Sequence, residues 1–218
     1  GHEGLSITAV DPANVAMVDT GLHASAFESY EADGGRIGIN LDQFEDVLAL
    51  ADSGDLVHLE LNGQTRKLDI RFGEVDYTQA LIDPETVRQE PDLPALDLPV
   101  EVVLEGEQLD RGVTAADLCS DHILFAGDAR EAFVIDAEGD TDDVQVTFTA
   151  DDLIDGSVTA DVRSLHSLDY MTSIAGVIDD ETEVRVAVGD ELPVRLEYEH
   201  SEGAASVTNV LSPRIKGD

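Results

Sequence analysis

The chain repeats itself, and the repeat limits its fold more tightly than any single motif does. Leu41-Asp42 opens an apolar-periodic stretch that runs to Leu50, and Leu168-Asp169 opens a similar one that runs to Val177. Three alternating stretches follow each: Leu56–Leu61, Arg66–Phe72 and Val75–Ile82 in the first half, and Val184–Val188, Pro193–Glu199 and Val207–Leu211 in the second. Upstream, Leu5–Val10 and Val15–Val18 correspond to Phe133–Ala137 and Val144–Phe148, with offsets of roughly 127 to 132 residues throughout. Val57, Leu59 and Leu61 alternate with His58 and Glu60, the period of a strand with one buried face. Leu41, Phe44, Val47 and Leu48 follow the 3.6-residue period of a helix. Each half reads as three strands, a helix and three more strands, so the fold class is α+β, with antiparallel sheets in two similar domains.

The second half holds a strand at Val100–Leu104, a helix at Gln108–Leu118 and a strand at His122–Phe125 that have no partner in the first. The expectation is either a naturally shorter first repeat or the absence of an opening strand-helix-strand of about 30 residues. The lack of an initiator Met favours the second. Between the halves, residues 83–99 contain four of the seven prolines, which fix φ and remove amide donors, so this segment is an extended connector. Leu93, Leu96 and Leu98 make it apolar for a linker. The expected organisation is a first domain at 1–82, a connector at 83–99 and a second domain at 100–218.

Asp and Glu number 48 against 12 Lys and Arg, a net charge of -36, and the acids are dispersed among apolar residues rather than gathered in a tail. Such a surface repels itself in dilute salt, and molar salt shortens the Debye length to ~3 Å. The charge therefore points to a salt-loving cytoplasm, with monovalent cations and high KCl expected for stability. No cofactor is expected. Bulk electrostatics exclude strong DNA attraction in dilute salt. The alternative is a salt-adapted extracellular β-rich binding or calcium-storage protein, but its best loop, Gly139–Asp143, lacks the full spacing of a calcium loop. One cysteine, Cys119, excludes an internal disulfide framework. No apolar run approaches the ~18 residues of a membrane span. There is no Gly-x-Ser-x-Gly elbow, no phosphate loop and no His-x-x-x-His pair, so nothing demands catalysis and the chain reads as a non-enzyme.

Specific segments carry a family resemblance. Leu5–Val18 contains Asp11, small residues and Val15-Ala16-Met17-Val18, followed by Phe27-Glu28-Ser29-Tyr30. Near the end come Leu192-Pro193-Val194-Arg195-Leu196-Glu197-Tyr198 and Val210-Leu211-Ser212-Pro213-Arg214-Ile215. Together with the duplicated halves and the long acidic connector, these segments resemble the sliding clamps of DNA replication, the proliferating cell nuclear antigen (PCNA) family. The acidity is similar to that of clamps from halophilic archaea. The resemblance implies the DNA-clamp fold, with helices lining a channel around double-stranded DNA, a homotrimeric ring and a cytoplasmic, nucleoid-associated location. The implied partners are DNA polymerase, a clamp loader and other proteins with clamp-interacting motifs. It also implies a partner pocket of Val10, Val15, Met17, Leu93, Leu96, Pro193, Val210 and Ser212. The subunit seam would pair Val75–Asp83 with Asp143–Thr149 of the next subunit, through Val75, Tyr77, Gln79 and Leu81 on one side and Val144, Val146 and Phe148 on the other. Arg111, Arg163 and His166 are the expected DNA-facing residues, because helix Leu41–Leu50 carries Asp42, Glu45 and Asp46 where relatives often have lysines.

Overall fold

The computed structural model describes residues 3–86, 98–128, 132–200 and 203–214. Leu93 and Leu96, with most of the connector, lie outside the described residues. The expected periodicities become elements with small shifts at their ends. The first are β1 (Gly4–Val10), β2 (Ala16–His23), α1 (Leu41–Leu48), β3 (His58–Asn62), β4 (Lys67–Phe72) and β5 (Val75–Ala80). Next come β6 (Val100–Glu105), α2 (Gly106–Asp117), β7 (His122–Asp128), β8 (Ala132–Glu138) and β9 (Asp143–Phe148). The last are β10 (Asp155–Val158), β11 (Val162–Ser167), α3 (Leu168–Ala175), β12 (Glu183–Val188), β13 (Val194–His200) and β14 (Ala205–Leu211). Helices α1 and α3 both begin on the Leu-Asp pair of their repeat.

Two features depart from the repeat. The four-residue β10, with an exposed Asp-Gly-Ser start, offers no alternation to read. The third strand expected before each helix exists only in the second half, as β11. The first half has a 3-10 turn at Ala24–Ala26 and an isolated bridge between Gly38 and Ile82 in its place.

The chain forms two compact units. One begins at Ala32 and holds α1 and the sheet β3-β4-β5. Its core is Val47 from α1 with Leu68, Ile70 and Phe72 from alternate positions of β4, and Phe44, Leu48, Val75, Tyr77 and Leu81 pack against them. Asn40 caps α1 by accepting the Gln43 N–H at 3.1 Å. The alternation of β3 had suggested a buried face, yet Leu59 and Leu61 are 44% and 51% exposed. They lie on an outer strand, and the buried cluster is drawn from β4 and α1 instead.

The other unit contains residues 3–31 and everything described from residue 98 onward. Its seven-stranded sheet runs β1-β2-β14-β13-β12-β6-β10, and its four-stranded sheet runs β11-β7-β8-β9. The β1–β2 hairpin joins this unit because β2 pairs with β14 over seven residues, from Ala16↔Leu211 to Leu22↔Ala205. The packing boundary therefore falls elsewhere than at residue 82, where the repeat puts it. Helices α2 and α3 lie side by side and share one core with both sheets. The α2 start is a capping box between Glu105 and Gln108. Two glycines let α2 approach its neighbours: a Cβ at Gly106 would collide with the Asp179 carbonyl oxygen, and one at Gly112 with Ile135 Cδ1.

Candidate partner groove

The expected pocket residues that are described gather about the turn between β1 and β2, and one carboxylate organises that turn. Asp11 Oδ1 accepts the backbone N–H groups of Val15 at 2.6 Å and Ala16 at 2.8 Å, while Oδ2 accepts that of Ala13 at 2.9 Å. Asn14 takes up φ +57°, a left-handed conformation that asparagine tolerates well. The hydroxyl of Tyr170, on α3, donates to Asp11 Oδ2 at 2.8 Å. The Ala16 N–H is the largest cause holding the Asp11 pKa down, to about 2; partial desolvation opposes it, and Tyr170, Ala13 and Val15 add to the lowering.

Past β14 the chain is fixed to the same turn. Ser212 N–H donates to the Val15 carbonyl at 2.8 Å, and Arg214 N–H donates to the Leu165 carbonyl at 2.6 Å. The Ser212 carbonyl lies 3.2 Å from His166 Nδ1. A carbonyl only accepts, so Nδ1 carries the proton and Nε2 is a lone pair. Nε2 is buried without a hydrogen-bond partner, and burial pulls the imidazole pKa down to about 4 against the raising effect of the Ser212 bond.

Strand register then assembles the surface. Val10 pairs with Met17, Met17 with Val210, and Val210 with Arg195, so four side chains stand in one row across β1, β2, β14 and β13. Val207 and Leu211 of β14 point into the core, so Val210 faces the opposite way; it is nonetheless only 6% exposed. Of the expected pocket residues, Val10, Met17 and Val210 thus share one face. Val15 packs against the core cluster and serves as the base of the turn. Pro193 is half-buried ahead of β13, and Ser212 contributes backbone bonds.

Two expected DNA-facing residues are corrected. His166 is completely buried against Phe125, because its position on β11 alternates with the exposed Arg163 and so turns into the core. Arg163 is exposed but shares a sheet face with Ala126, Val134 and Asp136, opposite the face that packs on α2 through Ile135. It therefore points away from α2 and α3. Arg111 is exposed on α2 and pairs with Glu107 one turn earlier. It is the one basic side chain on α1, α2 and α3.

At the expected seam, β5 is an outer strand of its sheet and β9 is an outer strand of its own. The side chains named for it turn inward, however. Val75, Tyr77 and Leu81 pack on the core of their unit, and Val144, Val146 and Phe148 on theirs. Gln79 is buried, its Nε2 donating to the Asn40 carbonyl at 2.9 Å. What these strands leave at the edge is backbone, with the exposed Asp76, Thr78, Ala80, Asp143, Gln145 and Thr147 side chains.

Sequence reasoning missed the roles of Asp11, Tyr170 and Arg195. An Asp-Pro-Ala-Asn turn carries the signal for the first. Arg195 stands at an outward position of an alternating strand, also readable. The Tyr170 contact spans 159 positions and has no local signature.

These features define a duplicated antiparallel α+β protein, its helices packed on one face of its sheets and, in the larger unit, an apolar row on the opposite face. A family model for the N-terminal domain of proliferating cell nuclear antigen matches residues 1–83. The DNA polymerase sliding clamp of Natronomonas pharaonis is 54% identical over 218 residues, spanning 100% of this chain and 88% of that protein. The structure of A. fulgidus PCNA bound to the C-terminal region of FEN-1 superposes with a TM-score of 0.91 at 36% identity, covering 99% of this chain and 87% of that one. PCNA from Thermococcus kodakaraensis gives a TM-score of 0.86 at 30% identity, covering 98% and 88%. The chain belongs to the PCNA family of DNA polymerase sliding clamps, with halophilic archaeal clamps among its relatives, and it has the two-domain clamp fold. The comparisons give no support to the extracellular binding or calcium-storage alternative.

Proposed function

We propose that the chain works without catalysis, as a homotrimeric ring that encircles double-stranded DNA and tethers DNA polymerase, a clamp loader and other motif-bearing proteins through the groove. The observation that carries the tethering role is the Val10–Met17–Val210 row, an apolar strip on the face opposite the core. Client segments that present apolar anchors gain by covering such a strip, and a few anchors supply most of the affinity. Its relative from A. fulgidus is seen with the C-terminal region of FEN-1 bound, which supports a peptide as the occupant.

Ring closure joins the backbone edge of β5 in one subunit to that of β9 in the next, a head-to-tail contact that closes after three subunits of two similar domains. The helices bring one arginine and many carboxylates, so retention on DNA is topological rather than electrostatic, with monovalent cations screening the repulsion. Such a clamp works in the cytoplasm, at the nucleoid, and needs no cofactor beyond high KCl. A labelled FEN-1 C-terminal peptide titrated at molar KCl tests the groove. Binding is expected to be insensitive to EDTA, weaker for Pro193→Ala and lost for Val210→Asp. Undiminished binding to Val210→Asp would overturn the assignment.

A further inference from the structure

The row that makes the groove does not end on an apolar residue. Its fourth member is Arg195, on β13 directly beside Val210. Arg66, Arg71, Arg111, Arg163 and Arg185 each bring a terminal guanidinium nitrogen to a carboxylate. Arg195 does not among the described residues: its one carboxylate approach is from Nε to Glu197 Oε2, two positions along the same strand, at 3.5 Å. That Nε is buried and makes no hydrogen bond, and the side chain is 34% exposed. A guanidinium whose Nε is buried, with both Nη groups lacking a described carboxylate, offers its outer edge to a bidentate acceptor.

The neighbouring rows sharpen the contrast. On the same face the next row reads Thr8, Asp19, Thr208, Glu197 and Arg185, and Arg185 is already paired with Glu101. An acidic client segment arriving at a chain of net charge -36 is repelled over most of its surface, and a cation beside the apolar strip offers a place where its carboxylate is held. We propose that Arg195 selects clients: a segment that lays its apolar anchors on Val10, Met17 and Val210 sets a carboxylate on the Arg195 Nη pair. This rests on the groove reading above. Because the contact is short and partly buried, it survives the molar salt that erases long-range attraction. Specificity then comes from one charge-assisted pair beside an apolar strip.

The test uses the full chain at molar KCl and the labelled FEN-1 C-terminal peptide, with each position flanking its apolar anchors set in turn to Asp and to Asn. Wild type is expected to bind one Asp peptide about fivefold tighter than its Asn twin, a modest value for a charge-assisted pair. Arg195→Gln should bind both twins equally, at the Asn affinity, and Arg195→Lys should recover part of the preference. Arg185→Gln should keep all of it. Equal binding of every Asp and Asn twin by wild type, or a preference that survives Arg195→Gln, overturns the proposal and leaves the groove standing. Failure of every peptide to bind wild type overturns the groove reading, and this one with it.

Discussion

The hydroxyl of Tyr170 donates to the carboxylate of Asp11 at 2.8 Å, joining helix α3 to a turn 159 positions earlier in the chain. The same carboxylate accepts three backbone N–H groups, so one side chain closes the β1–β2 turn and ties it to the helix. Val10 and Met17 leave that turn in opposite directions and meet in register, so the turn sets the spacing of the apolar row.

Removing the hydroxyl should therefore cost little, and removing the carboxylate more. Tyr170→Phe leaves Asp11 with its backbone donors and should destabilise only slightly, whereas Asp11→Ala removes the acceptor of three backbone N–H groups and should destabilise more. Denaturant unfolding at high KCl reads both. Peptide affinity should fall more for Asp11→Ala than for Tyr170→Phe; the reverse order would show that the turn is not what spaces the row.

How much of this was legible in the sequence depends on the range of the contact. Period-2 and 3.6-residue patterns located β4, β12, β13, α1 and α3 because each buries one face against the core of its own unit. The same patterns misjudged β3, since alternation reports a pleat and not which strand has a neighbour to cover it. They also could not tell that β2 pairs with β14, because pairing between distant strands leaves no mark in either segment. His166 is placed wrongly because the sequence gives no bounds for the strand before α3, so the alternation that turns it into the core is not read.

His166 makes the acid stability of the fold predictable. Its folded pKa, near 4, lies below the ordinary 6.5 because burial disfavours the cation. Between those values the unfolded chain binds the additional proton, so stability is complete above pH 6.5 and falls as pH drops towards 4. The loss from this one group should be on the order of 3 kcal/mol. His166→Asn retains a donor for the Ser212 carbonyl and should flatten the curve in that window. Asp11, Asp83 and Asp152, all lowered from 3.8, lose their contributions only at more acid pH. Unfolding followed from pH 7.5 to 4 separates the two; an unchanged slope in His166→Asn would count against a neutral buried imidazole.

The two helix glycines should respond differently to alanine. At Gly106 the obstacle is the Asp179 backbone carbonyl, which cannot rotate aside, so Gly106→Ala should lose about 2 kcal/mol or more. At Gly112 the nearest atom is the end of the Ile135 side chain. Rotamer adjustment and the roughly 1 kcal/mol helix preference of alanine over glycine should leave Gly112→Ala close to neutral. Ile135→Val, which removes the obstructing methyl, should make the pair with Gly112→Ala more favourable than the sum of the single changes. Thermal unfolding of the four variants, at one salt concentration, measures that coupling.

Assembly is where the charge matters most. The proposed seam brings β9, flanked by Asp140, Asp142 and Asp143, towards β5, which carries no Lys or Arg. Strand pairing through backbone supplies direction but nothing that cancels this charge. Trimer should consequently dominate at molar KCl, where the Debye length is ~3 Å, and dissociate as salt is lowered. Ala80 is exposed on β5, so Ala80→Arg adds a cation facing the acidic strand without disturbing the core. An exposed ion pair contributes about 0.5 to 1 kcal/mol. Counted over three seams, that should move the assembly midpoint to clearly lower KCl. Gln145→Asp, on the facing strand, should move it higher. Sedimentation across a KCl series reads all three proteins, and a midpoint that ignores both substitutions would place the seam on other strands.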